Sequence, residues 1–427
     1  MTTRRGAKWI VAAAVSALMG CQGGDSSEGP ALRPEIRLEA SKSDAVAGDK
    51  ITLTWVAYDA KRCEASGAWS GSRATSGSEV FSPTTPSAEF RLSCANSTGM
   101  TESAVTVRVA PHLYVPIGLP MDVVTSLNNR GDVAGAIRSP AAGTWEHRPA
   151  AVIDGQYILT APVGYYVADA TDINDSGQVL MQKGDLYTAG TVVKLTGLAS
   201  AYGITEDGRV VGSMLVDGAA SCCLYHAALF AGGALIDLGT LGGVQSAARA
   251  VNESGIVVGR SELSALNAGV AHAARWDVGV TTDLGTLGGI SSEARAINER
   301  EEIVGRADTA DGDSRAFIYR EGSMRDLGTL GGRFGDAQGI NDASDVVGTA
   351  AQSDGTVRSF LYREGTMYDL NRYLATPLGI DYPLTEALDI NNRGQIVARA
   401  CWRIPGCPVG NRCDVCSAYL LDPTPPQ

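Results

Sequence analysis

Histidine, aromatic residues and basic charge are all scarce in this chain. Its 427 residues include 4 histidines and 6% aromatic residues, and its formal net charge is -12. So few histidines leave little material for histidine-based catalysis or metal binding, and an acidic chain is unsuited to binding nucleic acid. The 51 glycines do not recur at every third position, which excludes a collagen-like chain and indicates many turns.

A membrane-spanning apolar run is also missing. The N-terminal run, residues 9–20, has 12 residues, whereas a transmembrane helix needs about 20. Because Arg4, Arg5 and Lys8 precede it, this run is typical of a secretory signal peptide, which we predict as residues 1–20. Residues 21–32 have the composition of a flexible tether.

The end of this segment, Leu18-Met19-Gly20-Cys21, resembles the lipobox of bacterial lipoproteins. The resemblance implies cleavage before Cys21, diacylation of its thiol and acylation of the new N-terminus. Three acyl chains anchor a protein far more firmly than one. Gln22 in place of Asp implies the outer membrane, with the protein facing the periplasm or the cell surface. An ordinary signal peptide that contains a cysteine is the alternative.

The segment 33–110 alternates between polar and apolar residues and has no helical stripe, so we predict a two-sheet sandwich. Strands are expected at residues 35–40, 50–55, 89–94 and 104–109. Cys63 and Cys94 are the only cysteines in this segment, and export permits them to form a disulfide. Such a bond would add roughly 3–4 kcal/mol to stability.

This segment resembles the immunoglobulin-like modules of bacterial surface proteins. The resemblance rests on Leu53-Thr-Trp55, Cys63-Glu-Ala-Ser66, Trp69-Ser-Gly71, Ser76-Gly-Ser78 and Phe90-Arg-Leu-Ser-Cys94. Unlike the core tryptophan of antibody domains, Trp55 precedes both cysteines, so we expect the disulfide to join neighbouring strands. Modules of this kind act as spacers or as adhesive units, and the sequence leaves both roles open.

Internal repeats dominate residues 112–422. The motif Asp-Leu-Gly-Thr-Leu-Gly-Gly occurs at residues 237–243, 283–289 and 326–332. A turn element, Asn-x-x-Gly within apolar residues, recurs seven times, beginning at Asn128, Asn174, Thr205, Asn252, Asn298, Asn341 and Asn391. Because glycine provides the positive φ of such turns, Glu301 and Ser344, which replace it, predict two turns that are longer or strained.

Each period of about 45 residues contains four short strands and no helix, which is typical of a β-propeller blade. We therefore predict an all-β chain with a seven-bladed propeller at residues 112–422 and a tail at 423–427; six or eight blades stay open. Pairing residues 113–119 with residues 417–421 would complete the last blade and leave no exposed edge. The short interval between the second and third repeats predicts a trimmed second blade.

These repeats resemble the HAF family of probable extracellular repeats, named for a His-Ala-Phe strand. The resemblance covers about residues 113–421 and rests on the triplicated glycine motif and on strands such as Arg315-Ala-Phe317. It implies an exported repeat protein and no particular reaction. The glycine run has no lysine or helix start to bind phosphate, so we predict a crossover between blades. His226 and His272 share one repeat position and are expected to bond to a neighbouring blade.

Six further cysteines have no obvious partners. They are Cys222, Cys223, Cys401, Cys407, Cys413 and Cys416. In an exported chain we favour disulfides over a zinc site built around the last two, and sequence alone does not choose the pairing. Cys222 and Cys223 are adjacent, so each forms a disulfide with another cysteine or the two bond to each other. We predict no metal site and no cofactor.

The inner strands supply the one ring-like candidate site. Three positions before each turn residue stand Thr125, Thr171, Tyr202, Arg249, Arg295, Gln338 and Leu388. If these strands line a channel, this uneven set forms either a ligand mouth or packing between blades. Asp172 and Asp389, on the same strands, are the acids that a glycan lyase or hydrolase would use.

We find no catalytic constellation, so we assign no catalytic residue. The expected function is non-catalytic binding of a protein or glycan by a monomeric, lipid-anchored envelope protein, with the membrane as a partner through the lipid and with no nucleic acid. A propeller-type glycan lyase or hydrolase and a purely structural envelope protein are the alternatives.

Overall fold

The described part of the computed structural model is all-β, which confirms the predicted class. Its one helical element is a 3-10 turn, Leu370–Tyr373, and none of its helices is long and apolar enough to span a membrane. The structure describes residues 33–46, 49–83, 85, 87–110, 114–141, 144–160, 169–216, 224–264, 269–277, 279–375, 378, 382–403 and 414–423. The predicted signal peptide, Cys21 and the tether lie outside these residues.

Residues 35–110 form two sheets around one core. The strands are β1 (Glu35–Ala40), β2 (Asp44–Val46), β3 (Ile51–Tyr58), β4 (Arg62–Gly67), β5 (Gly71–Arg73), β6 (Ser76–Phe81), β7 (Ser87–Asn96) and β8 (Gly99–Ala110). The sheet orders are β1-β3-β6 and β2-β8-β7-β4-β5. Alternation decides the inner face, because Ile51, Leu53 and Trp55 on β3 are buried while Thr54 between them is exposed.

Aromatic rings and a disulfide hold this sandwich together. The ring centroid of Trp69 lies 5.3 Å from that of Trp55 and 5.7 Å from that of Phe81. The Trp69 indole N–H donates to the carbonyl of Arg91, so no polar atom of that ring is left unpaired in the core. Cys63 and Cys94 face each other on β4 and β7 and are bonded, which confirms the predicted link between neighbouring strands.

Residues 114–423 form seven four-stranded units, which we call blades 1 to 7; their first strand in the chain is β9 (Tyr114–Gly118). Blade 1 contains β10 (Val123–Leu127), β11 (Val133–Ala141), β12 (Thr144–Ile153) and β13 (Gln156–Leu159); blade 2 contains β14 (Ala170–Ile173), β15 (Val179–Met181), β16 (Asp185–Thr188) and β17 (Thr191–Lys194). Blade 3 contains β18 (Leu198–Ile204), β19 (Val210–Leu215), β20 (Tyr225–Ala231) and β21 (Ala234–Gly239); blade 4 contains β22 (Ser246–Val251), β23 (Val257–Glu262), β24 (Ala271–Asp277) and β25 (Val280–Asp283). Blade 5 contains β26 (Gly288–Ile297), β27 (Ile303–Thr309), β28 (Ser314–Arg320) and β29 (Ser323–Asp326); blade 6 contains β30 (Gly331–Ile340), β31 (Val346–Gln352), β32 (Val357–Arg363) and β33 (Thr366–Asp369). Blade 7 contains β34 (Glu386–Ile390), β35 (Ile396–Arg403) and β36 (Asp414–Pro423), and its fourth strand is β9.

The blades follow one another in a propeller-like arrangement. The first strand of each blade contacts the first strand of the next, and β34 of blade 7 contacts β10 of blade 1. Strand β9 pairs with β36 in the register Gly118 to Tyr419, so the two ends of the repeat region meet in one blade. One parallel pairing, Ser314 with Phe334, additionally links blades 5 and 6. The strands of blade 2 are 3 or 4 residues long, as the short repeat interval predicts.

Small apolar residues let neighbouring blades pack face to face. Between blades 3 and 4, for example, Val211 and Ala227 pack against Ala248, Val257 and Trp276. Except for Ala248, these residues come from the repeated Val-Val-Gly and His-Ala-Ala strands. The motifs recur because each blade must bury its face against the next.

The sandwich contacts blade 6. Val46 packs against Tyr368 and Tyr373. The Tyr368 hydroxyl donates to the carbonyl of Val109, and Arg372 forms an ion pair with Asp44. The two folded parts therefore share a small polar and aromatic contact at this point.

Candidate functional site

Each innermost strand contains a β-bulge three residues before its turn residue, where the strand pairing skips one residue. The bulged residues are Thr125, Thr171, Tyr202, Arg249, Arg295, Gln338 and Leu388, the whole predicted ring. A bulge leaves its residue outside the strand ladder and redirects the side chain. The repeat pattern located these positions but gave no sign of the bulge.

The bulged residues do not form one uniform mouth. Thr125 Oγ1 donates to the carbonyl of Ala170 in blade 2 at 2.8 Å, and Leu388 packs in an apolar cluster with Val397. These two are packing residues. Tyr202 and Arg249, by contrast, line one cavity, with the guanidinium 4.6 Å from the tyrosine ring centroid.

The glycine of the repeated Val-Val-Gly strand accommodates the bulge. A Cβ on Gly305 would lie 2.0 Å from the carbonyl oxygen of Glu293, and a Cβ on Gly212 would lie 1.9 Å from that of Ser200. Blades 2 and 7 carry Met181 and Ala398 at this position, so their strands meet the bulge without that close approach.

At the other end of the inner strands, each turn asparagine forms hydrogen bonds through both its amide nitrogen and its amide oxygen. Asn128 Oδ1 accepts the main-chain N–H groups of Arg130 and Asp132. Its Nδ2 donates to the Asp132 carboxylate and to the carbonyl of Asn174 in the next blade, both at 2.9 Å. Asn128 is 5% exposed, so these four bonds satisfy a buried amide.

The two turns without glycine keep the common length and are strained instead. The N–H of Glu301 donates to the carbonyl of Asn298 just as that of Gly255 donates to Asn252. Glu301 has φ +60° and Ser344 has φ +63°, in the left-handed region that favours glycine. Of the two predicted outcomes, strain is correct and lengthening is wrong.

The turn asparagines link blade to blade around the ring, and we call them the amide belt. Six links follow one rule, in which the amide of one turn residue donates to the carbonyl of its counterpart in the next blade or, from blade 7, to that of Asn128. Thr205 is too short to follow the rule. Arg209 replaces it there, donating to the carbonyl of Glu253 in blade 4.

The next residue of each turn forms a second belt, the carboxylate belt. Its members are Asn129, Asp175, Glu206, Glu253, Glu299, Asp342 and Asn392. Each main-chain N–H donates to the side-chain oxygen of the next member, and Asn392 closes the circuit onto Asn129 at 3.0 Å. Burial, and then the charges of Glu206 and Glu299, raise the pKa of Glu253 above its usual range.

These belts surround a depression of about 330 Å³ that residues from all seven blades line. Its acids already serve as acceptors for the neighbouring blade. In the described part of the chain, no three metal-ligating side chains are grouped closely enough to hold a metal ion.

Below the belts, the carboxyl groups of Asp172 and Asp389 both contact the hydroxyl group of Ser126. Ser126 Oγ lies 2.6 Å from Asp172 Oδ1 and 3.0 Å from Asp389 Oδ2. A serine has a single proton to donate, so both contacts are full hydrogen bonds only when one carboxyl is itself protonated. Burial raises the pKa of Asp172 to about 6. Burial, and then the nearby Asp172, raise that of Asp389 to about 7.

The sequence identified both aspartates as candidate acids, and the structure brings them together. Their oxygens also accept main-chain N–H groups of the following blades, from Ile204 to Asp172 and from Leu127 to Asp389. Carboxyls bonded in this way brace blade 7 to blade 1 and blade 2 to blade 3. The pair therefore links neighbouring blades.

The crossover end of the inner strands gathers arginine. Arg249 Nε donates to Glu293 Oε1 at 2.8 Å, and Arg295 Nη2 lies 3.2 Å from Asp336 Oδ2. Burial acts to raise the pKa of Glu293, but Arg295 and Arg249 outweigh it and hold that pKa below its usual range. The ion pairs thus join blades 4, 5 and 6.

The adjoining cavity, between blades 3 and 4, has a volume of about 360 Å³. Side chains that line it are Ser200, Tyr202, Ser213, Tyr225, Gln245, Arg249, Arg260 and Glu262. Of the predicted ring, only Tyr202 and Arg249 line this cavity. Sequence reasoning missed Arg260, Glu262 and Tyr225, which come from other strands; the repeat alignment of Arg260 with Arg306 was the available signal.

The glycine motif is the crossover between blades, as predicted. Gly239 N–H donates to the Asp237 carboxylate, and a Cβ on Gly243 would lie 2.3 Å from Glu262 Cβ. Asp237 also accepts a hydrogen bond from His226 Nδ1 at 2.9 Å, and Asp283 and His272 form the same pair. Both pairs lie within one blade, so the expectation that these histidines bond to a neighbouring blade is wrong.

One further disulfide, Cys401–Cys416, joins β35 and β36. Because Cys416 is bonded, it is not a thiolate ligand for zinc. Cys222, Cys223, Cys407 and Cys413 lie outside the described residues, so their pairing stays a prediction.

Comparison with known proteins places the chain near several solved structures at low identity. No protein-family model and no curated protein matches it. It is similar to TolB from Acinetobacter baumannii, with 10% identity over 79% of this chain and 77% of that one and a TM-score of 0.33. It is also similar to a quinonprotein alcohol dehydrogenase-like protein from Bacteroides thetaiotaomicron (10% identity; 84% and 88% covered; TM-score 0.23). A third is a rhamnogalacturonan lyase from Bacillus licheniformis (11% identity; 91% and 89% covered; TM-score 0.20). Similarity at this level says nothing about activity.

Proposed function

We propose that this chain is a lipid-anchored, monomeric envelope protein whose ring binds a glycan or a protein without catalysing a reaction. In this account the blades form a closed seven-bladed propeller of the HAF type, and residues 33–110 are an immunoglobulin-like spacer. Two disulfides, Cys63–Cys94 and Cys401–Cys416, support export, because such bonds persist in oxidising compartments.

The lipid anchor rests on the lipobox-like segment that ends at Cys21. Mass spectrometry of the mature N-terminal peptide tests it. We expect an acylated Cys21 as the first residue, and a mature chain that begins elsewhere would contradict the anchor and the assignment to the outer membrane.

The observation that carries the binding role is the uneven composition of the bulge positions. A ring needs only packing residues there, as Thr125 and Leu388 demonstrate. Tyr202 and Arg249 instead stack on each other at the edge of a cavity that is lined mostly by polar side chains. Aromatic and arginine side chains are the residues that most often carry binding energy.

A larger crevice of about 740 Å³ between blades 4 and 5 fits this role less well. Its arginines are already paired, Arg275 with Asp277 and Glu301, and Arg300 and Arg320 with Glu302. A ligand there would have to break these ion pairs.

Glycan-array binding and pull-down of envelope material test the proposal with the full chain. The test variant carries Tyr202→Thr and Arg249→Thr, which install the residue type of blades 1 and 2. The control variant, Arg325→Gln, removes an equal charge from the outer strand β29, where the side chain is 54% exposed. We expect the wild type and the control to bind and the test variant to lose at least tenfold in affinity. Equal binding by all three, or no binding by any, would contradict the proposal and favour a purely structural protein.

A further inference from the structure

Blades 4 and 5 carry arginine at two equivalent positions. One is the bulge, with Arg249 and Arg295, and the other follows the second strand's glycine, with Arg260 and Arg306. No other blade has a charged residue at the bulge. On the second strands of the other blades, only Arg399 occupies the position equivalent to Arg260, and it is paired with Glu386. Arg249 and Arg295 also join blades through Glu293 and Asp336. Because the other blades do without arginine at the bulge, this local excess is not part of the repeat that all blades share.

The nearby carboxylates pair with only some of the donor groups of these arginines. Glu293 Oε1 accepts a hydrogen bond from Arg249 Nε, and Glu293 Oε2 lies 3.4 Å from Arg295 Nη2. Arg260 is exposed, and among the described residues it has no hydrogen bond or close ion pair, although its charge helps to lower the pKa of Glu293. The Nη groups of Arg249 are also left without a described acceptor. In a chain of net charge -12, two guanidinium groups with donors to spare therefore line one cavity.

The remaining lining fits a sugar ring. Tyr202 and Tyr225 provide flat apolar surface, and Ser200 and Ser213 provide hydroxyls. Glu262 is buried, and its carboxylate is fixed by the N–H groups of Val244 and Gly269 at 3.3 and 3.1 Å. A carboxylate held in this way keeps lone pairs for a further donor, such as a sugar hydroxyl. A volume of about 360 Å³ is in the range of small-ligand pockets.

We infer that the cavity between blades 3 and 4 binds an acidic saccharide, with Arg249 and Arg260 on its carboxylate and Tyr202 and Tyr225 against its ring. Arginine matches a carboxylate because its planar donors form two parallel, charge-assisted hydrogen bonds. This inference rests on the proposed binding function and names the ligand class for it.

Calorimetric titration of the full chain tests the inference with trigalacturonate as the probe. Its methyl ester keeps the same rings and stereochemistry without the charge. We expect the acid to bind at least tenfold more tightly than the ester, and Arg260→Gln to lose at least tenfold for the acid alone. Arg260 has no described hydrogen bond, and Glu293 keeps Arg249 and Arg295, so the substitution should leave the fold intact, which the melting temperature verifies. Arg358→Gln on β32 is the matched control and should bind as the wild type does.

Three results would overturn the inference. Equal binding of acid and ester that is lost in the Tyr202→Thr, Arg249→Thr variant would leave the proposed function standing with a neutral ligand. Complete competition by inorganic sulfate at the ligand's own concentration would reveal a simple anion site. No binding of the probe, together with no ligand on the glycan array or in the pull-down, would remove both the inference and the proposed function.

Discussion

Replacing Asn128 with aspartate is expected to lower the free energy of unfolding by about 3–5 kcal/mol, the range for breaking a buried, paired polar group. Asn128 donates its amide hydrogens to the Asp132 carboxylate and to the carbonyl of Asn174. An aspartate has nothing to donate there, so a buried charge would face a carboxylate and a carbonyl oxygen. Chemical denaturation measures the loss directly.

The neighbouring residue provides a control with the same chemical change. Asn129 belongs to the carboxylate belt, where its Oδ1 accepts the N–H of Asn392. Aspartate accepts that bond equally well and loses only an exposed hydrogen bond, from Asn129 Nδ2 to Asp175 Oδ2 at 3.2 Å, and most members of this belt are already acidic. Asn129→Asp should therefore change stability by less than about 1 kcal/mol. Equal losses in the two variants would contradict the distinct roles of the two belts.

Raising the pH from 5 to 7 is expected to destabilise the folded protein by about 2–4 kcal/mol through Asp172 and Asp389. Their pKa values in the folded state, about 6 and about 7, lie above the value of 3.8 for a free aspartate. Folding therefore binds their protons more tightly, and this stabilisation is lost as the pH rises through the folded pKa values. The charge of Glu206, which faces Asp172, acts in the same direction.

Denaturation at a series of pH values, on the wild type and on Asp389→Asn, measures this effect. The variant removes one titrating group and the repulsion that the other feels, so its stability should change with pH less than half as much over this interval. Asp175→Asn in the carboxylate belt is the control and should keep the wild-type slope. Parallel curves for the wild type and Asp389→Asn would show that the pair does not share a proton.

Most of the arrangement of the blades could be predicted from the repeat spacing. Asn-x-x-Gly elements predicted the position of every innermost strand, and the incomplete ends predicted the pairing of β9 with β36. These features are local or periodic, so they can be read from one sequence. In the sandwich, alternation located β1, β3, β7 and β8 but missed β2, β4, β5 and β6. Of these, the edge strands β2 and β5 have only three residues, too few for a periodic signal.

The candidate site was only partly predictable, because its contacts join different repeats. The sequence identified Asp172 and Asp389 separately, but it could not place both beside Ser126, which lies 263 residues from Asp389 in the chain. Likewise, the sequence could not distinguish Tyr202 and Arg249 from the other bulge positions. Their stacking beside a cavity, which sets them apart from the packing residues, is visible only in the structure. The repeat period shows which residues occupy equivalent positions in the blades. A different role for one of these residues can be recognised only from its three-dimensional contacts.

A crystal structure of the full chain with trigalacturonate would show whether the uneven crossover end of the ring is where this protein binds its ligand. We expect density for the saccharide in the cavity between blades 3 and 4, with its carboxylate within hydrogen-bond distance of Arg249 and Arg260 and a sugar ring against Tyr202. Density for the saccharide in the belt-lined depression or on the sandwich, with this cavity empty, would contradict it.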